Sequence, residues 1–262
     1  MNKISEELKA LYIILDTKKE KLDSFRPLSS EQSKNLKKVY DVDITYHSNA
    51  IEGNTLTYSE TKLILEEGIT ISGKSMNEHL EVINHKEALE YIEELVHITT
   101  SQIKESDILN IHSLILKSIN SKEAGKYRTQ AVGVRKSNGE IFHFVDPLLV
   151  KEKMEEFISW LHDSEALHPV QRASEAHYKF VSIHPFIDGN GRTARLIMNL
   201  ILMQNGYVPS IIRVENRSEY IKAIELAQNG ESLEKFHKII ATSVSKNLDF
   251  YLETLVTNIK FL

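Results

Sequence analysis

The chain has 262 residues, 41% hydrophobic and 26% charged, a composition that can bury a core and excludes wholesale disorder or a collagen-like repeat. It holds no cysteine, which removes disulfides, thiolate-ligated zinc, iron–sulfur clusters and thiol nucleophiles. A net charge of −5 offers no field for a nucleic acid, and no apolar run is long enough for a signal-peptide core or a membrane span, so the sequence predicts a soluble, cytoplasmic protein without nucleic-acid or membrane partners.

Ten glycines and five prolines are few for this length and predict long helices with few breaks. Apolar residues recur at helical spacing from Ile4 to Leu22, and Ser29-Ser30-Glu31 opens a second helix that runs toward Ile51 and stops at Gly53-Asn54. Thr57 and Glu60 have capping-box spacing at the start of a short helix that Gly68 closes. Met76–Val96 and Ser106–Ile119 are predicted helices. One β element is expected, Ala131–Val134 and Ile141–Val145 about the turn pair Asn138-Gly139. Helices resume at Leu148–Leu161, Ala173–Ile183, Arg192–Gln204, Ser218–Ala227 and Leu233–Val256, giving a mainly α fold without repeats or linkers.

Residues 68–75, GITISGKS, match the phosphate-binding pattern G-x-x-x-x-G-K-[ST] letter for letter. The pattern needs a buried strand to deliver its first glycine, and here an amphipathic helix leads in, so a helix–loop–helix connection is expected instead.

The chemistry concentrates in residues 184–195, HPFIDGNGRTAR. Pro185 ends a helix and leaves His184 on its last turn, where the helix dipole is expected to favour the imidazolium. Gly189-Asn190-Gly191 opens the next helix, whose free N–H groups suit a phosphate, and Asp188 beside it suits a hard cation such as Mg²⁺. Arg192 and Arg195 are three residues apart on one face of that first turn. This is the unfavourable helix end for a cation, by about 0.3–1 kcal/mol each when exposed, so the pair implies an anion between them. Singly, each residue has a plainer reading: His184 and Asp188 as caps, the arginines as a solvated pair. Phe186 is assigned to the core.

The segment resembles the Fic signature H-x-F-x-(D/E)-G-N-G-R-x-x-R with every specified position filled. The resemblance extends through the hairpin and Gly206-Tyr207-Val208-Pro209, roughly from Lys37 to Ile240. It implies a Fic-type helical bundle with one β-hairpin flap, and transfer of AMP from the co-substrate ATP, with Mg²⁺, to a Tyr, Thr or Ser hydroxyl of a target protein, the enzyme itself among the candidate targets. On the same resemblance residues 1–36 are an N-terminal helical extension, and residues 37–262 are one Fic domain with an N-terminal inhibitory helix and a C-terminal helix, one globular unit. His184 is then the general base, Asp188 the metal ligand, Gly189, Asn190 and Gly191 the phosphate cradle, and Arg192 and Arg195 the clamp on the β- and γ-phosphates. Val132 and Val134 of the flap, and Tyr220, are placed by the family pattern beside the nucleotide. By the same pattern, the nearby position that the family often fills with Asn is Gln228 here, with Asn229 next to it. The flap would register a target segment by strand addition, and relatives include homodimers.

Far upstream, Ser48-Asn49-Ala50-Ile51-Glu52-Gly53 resembles the family's inhibitory motif (S/T)-x-x-x-E-(G/N). Glu52 sits in the last turn of a helix, where the dipole disfavours an anion, and Arg195 is misplaced in the opposite sense, so a meeting of the two offsets both. The resemblance implies that Ser48 and Glu52 form the inhibitory element and that Glu52 occupies the γ-phosphate position. Two other functions stay open: removal of AMP from a modified protein with Glu52 orienting water, and a non-catalytic nucleotide-sensing adaptor, against which the presence of His184 argues.

Overall fold

A computed structural model describes residues 4–98, 102–136 and 139–257. Among them are ten α-helices and one two-stranded antiparallel sheet: α1 Glu6–Asp23, α2 Ser30–Ile51, α3 Tyr58–Glu67, α4 Met76–His97, α5 Glu105–Ile115, β1 Gly133–Arg135, β2 Ile141–His143, α6 Val150–Asp163, α7 Pro169–Ile183, α8 Asn190–Gln204, α9 Arg217–Gln228 and α10 Glu234–Thr257. The predicted order is reproduced. Capping boxes at Ser29/Gln32, Thr57/Glu60 and Ser75/Glu78 start α2, α3 and α4. β1 and β2 pair in register Val134↔Phe142; Asn138 of the expected turn lies outside the described residues, and Gly139 has φ +86°.

Helix α8 runs through the centre between α7, α4 and α5, and its residues 196–198 and 200–202 are fully buried. A helix apolar all round must be enclosed, which explains why this stretch carries the longest apolar run in the sequence. The interrupting Asn199 is satisfied: its Oδ1 accepts from the N–H of Ser210 at 2.9 Å. Leu8, Leu15 and Leu22 of α1, which packs along α10, belong to the same apolar cluster as α8. A second, small cluster of Leu56, Ile64 and Val82 seats α3 on α4.

The glycine-rich segment 68–75 is a connection between helices. Gly68 is the left-handed cap of α3, and the Lys74 ammonium donates to the carbonyl and hydroxyl of Thr55 at 2.5 and 3.0 Å. Among the described residues no strand precedes Gly68; helix α3 leads into it, so the phosphate-loop context is absent. No helix among the described residues is long and apolar enough to cross a membrane.

Candidate active site

His184 caps α7 in a left-handed conformation, φ +54° and ψ +60°, with its N–H donating to the Phe180 carbonyl at 2.9 Å. For a residue with a Cβ this backbone costs about 1–2 kcal/mol and persists only where the surroundings hold it. They do so on both sides. The Phe144 ring, just past β2, stacks on the imidazole at 3.9 Å between centroids. The Arg128 guanidinium donates to the His184 carbonyl at 2.7 Å. Burial, reinforced by the Arg128 charge and opposed by Glu52, Asp188 and a main-chain hydrogen bond at Val181, pushes the imidazole down to about 4. The helix-dipole expectation of an imidazolium is therefore corrected: desolvation outweighs the dipole and the ring is neutral near pH 7.

Beyond Pro185 the chain makes a tight loop closed by Asn190. The Asn190 side chain accepts from the Phe186 N–H at 3.0 Å and donates to the Phe186 carbonyl at 2.8 Å. Both ends of this amide are engaged, so Asn190 shapes the loop with its side chain. Phe186 is fully buried, as expected, and stacks on His112 at 3.5 Å. His112 Nδ1 accepts from the Gly125 N–H at 3.0 Å, which puts the proton on Nε2, and Nε2 donates to the Asp188 carbonyl at 3.0 Å. The Asp188 carboxylate is exposed and accepts from the Gly189 N–H at 2.6 Å. Gly189 has φ +77°, and a Cβ there would press on Ile115 and His112 at 3.2 and 3.4 Å. Among the described residues no group of three or more His, Asp or Glu side chains converges on a metal position. A single exposed carboxylate beside an anion nest suits a cation that arrives with its phosphates and keeps several waters.

The two arginines are buried, with 2% and 5% exposure, contrary to a solvated pair. Arg192 reaches Glu81 at 3.1 Å and Asp188 at 3.4 Å. Arg195 donates through Nε to the Ser48 hydroxyl at 3.0 Å, through Nη2 to the Ser48 carbonyl at 2.8 Å and to Glu52 Oε1 at 2.7 Å, and through Nη1 to the Tyr220 hydroxyl at 3.4 Å. Glu52 caps α2, and its carboxylate lies directly over Gly191, where a Cβ would overlap Oε1. An anion thus already covers the N-terminus of α8. Its hold is reinforced from α9, where Arg217 donates to the Ile51 carbonyl at 2.6 Å, and from Asn54, whose amide donates to Glu81 Oε2 at 2.8 Å.

The structure gives the three remaining nucleotide-contact candidates, Tyr220, Val134 and Val132, the following surroundings. Tyr220 is 2% exposed, packs on Phe236, and its hydroxyl bridges Arg195 and His177, so it stands behind Arg195. Val134 pairs across the sheet and is 42% exposed, and Val132 accepts through its carbonyl from the Phe144 N–H. The hairpin side chain that reaches the His184 ring is Phe144. Sequence reasoning also passed over Arg128, Glu81 and His112, which act across 56, 111 and 76 positions of chain and leave no local pattern.

A model of the Fic/DOC family matches residues 102–202. The protein adenylyltransferase Fic of Nematostella vectensis is 40% identical over 240 residues, which cover 91% of this chain and 55% of that protein, and fic-1 of Caenorhabditis elegans is 40% identical over 81% of this chain and 41% of its own. The chain spans about half the length of the curated relatives it matches. Among solved structures, Fic-1 from C. elegans superposes with a TM-score of 0.81 at 35% identity over 96% of this chain and 72% of that one, and a Fic-domain signaling protein from Bacteroides thetaiotaomicron with 0.86 at 27% identity over 95% and 97%.

Proposed function

The chain belongs to the Fic family, and from that premise we propose that it is a protein adenylyltransferase held in check by Glu52. The observation that carries the reading is the pair of buried guanidinium groups at the N-terminus of α8, a place where cations are favourable only beside an anion, with the Glu52 carboxylate standing in for a phosphate. In the reaction, neutral His184 takes the proton of a target hydroxyl, whose oxygen attacks the α-phosphorus of ATP. The bond from that phosphorus to the bridging oxygen breaks, AMP stays on the target and pyrophosphate leaves. The N–H groups of Gly189–Gly191 and the arginines take up the charge that develops on the phosphates. Asp188 would hold Mg²⁺ brought in with ATP, and that ion would supply charge neutralisation. With Glu52 on Arg195 the γ-phosphate has no place, so ATP sits unproductively. A target segment aligns along β1–β2, whose backbone edge is available for strand addition.

The test uses ATP labelled separately at the α- and γ-phosphates, with wild type, Glu52→Gly, Arg195→Ala and the double variant. Label from the α-position alone is expected to enter protein, in Glu52→Gly far above wild type, and not in either chain lacking Arg195. Incorporation by Glu52→Gly no higher than wild type would remove the inhibitory role. The part-exposed Glu52 carboxylate also favours one second reading, hydrolytic removal of AMP with Glu52 orienting water; wild type would then release AMP from a pre-modified protein and Glu52→Gly would not.

A further inference from the structure

We propose that Arg128 is a positioning residue that joins the seating of the β1–β2 hairpin and the geometry of the His184 base into one unit. Its role in transfer rests on the adenylyltransferase reading above.

Arg128 is among the largest fully buried side chains of the protein; among the described residues no carboxylate lies within ion-pair distance of it, and the attraction of Asp146 is outweighed by its burial. Burying a cation unpaired is costly, so its compensation must come from hydrogen bonds. It has four carbonyl partners in two groups. Two lie at the C-terminus of α7: Nε donates to His184 at 2.7 Å and Nη2 lies 3.5 Å from the Ile183 carbonyl. This is a helix end where orphan carbonyls and the macrodipole welcome a cation. The other two are the feet of the hairpin: Nη1 donates to Gln130, ahead of β1, at 2.9 Å, and Nη2 donates to Val145, after β2. The Arg128 backbone N–H adds a bond to the Pro185 carbonyl at 2.9 Å.

One planar fork therefore ties both ends of the flap to the residue whose left-handed backbone aims the imidazole. Phe144, carried on the same hairpin, closes the arrangement by stacking on the ring. A target segment that presses on the flap is felt at the base through a few bonds. Lysine cannot replace this, because an ammonium on a flexible stem does not span four carbonyls in a plane.

The charged groups facing the imidazole are Arg128, Glu52 from α2 and Asp188 from the loop. The experiment places Arg128→Gln, Arg128→Lys and Arg128→Gly in the Glu52→Gly chain and measures transfer, alongside NMR titration of His184 in the same proteins. Transfer kcat is expected to fall at least about tenfold in all three. The KM for ATP should stay within about threefold, since the hydrogen bonds of Arg128 go to main-chain carbonyls of the hairpin and the end of α7 and not to Arg192 or Arg195. Guanidinium ion should restore part of kcat to Arg128→Gly while ammonium does not, and the His184 midpoint should rise in Arg128→Gln.

Unchanged kcat together with an unchanged midpoint overturns the proposal. So does a joint fall of kcat, ATP affinity and melting temperature that guanidinium does not relieve, which assigns Arg128 to structural support alone. If the Glu52→Gly parent is itself inactive, the adenylyltransferase reading fails and not this one, which then stands or falls on the His184 midpoint.

Discussion

At the scale of single residues the site works by setting the charge state of each group through its surroundings. The imidazole of His184 is neutral because it is enclosed between Phe144 and the end of α7, and a neutral imidazole is what a base for a hydroxyl requires. His184→Ala is expected to abolish transfer while calorimetry finds ATP affinity within a few-fold of wild type; complete loss of ATP binding by a folded variant would make His184 a binding group. The motif that carries His184, Asp188, Gly189 and the arginines was legible because it is contiguous. The exact bonding was not. Asn190 turned out to bond the Phe186 main chain, and Tyr220 to lie behind Arg195, because side-chain direction depends on packing that a family pattern does not encode.

At the scale of elements, helix starts were legible wherever a hydroxyl stood three residues ahead of Glu or Gln, as at Ser29 and Thr57. The apolar spacing predicts α7 from Ala173, and the helix starts at Pro169, where His168 supplies the cap and proline the first turn, a weaker signal than a capping box. The C-terminus of α2 meets the N-terminus of α8, as the two opposite misplaced charges at these helix ends predict. That junction has a third strut, Arg217 on the Ile51 carbonyl. Arg217→Met should loosen the last turn of α2 and raise AMP incorporation above wild type, but below Glu52→Gly. Incorporation at the wild-type level would confine the restraint to Glu52 and Ser48.

At the scale of the whole molecule, burial of neutral imidazoles makes stability depend on pH. Burial holds His85 and His177 at about 3, and His112 and His184 at about 4. These folded values lie below the ordinary histidine value of about 6.5, so as pH falls the unfolded chain gains protons first and the fold loses stability. The loss begins near pH 6.5 and continues toward pH 4, at about 1.4 kcal/mol per pH unit for each such group. Urea midpoints are expected to drop clearly between pH 7.5 and 5; equal midpoints would mean that these rings accept protons in the folded state. Stability is also uneven in space. Leu56, Ile64 and Val82 form a cluster apart from the main core, and α3 rests on it immediately after the turn that follows Glu52. So small an apolar seat is expected to open at lower free energy than the core around α8, and opening it loosens the chain that follows Glu52. Heat then becomes an input to this protein: well below the global melting point, warming should exchange the amides of α3 ahead of those of α8 and let the wild-type chain transfer AMP at a rising rate, in the manner of a thermostat set by three side chains.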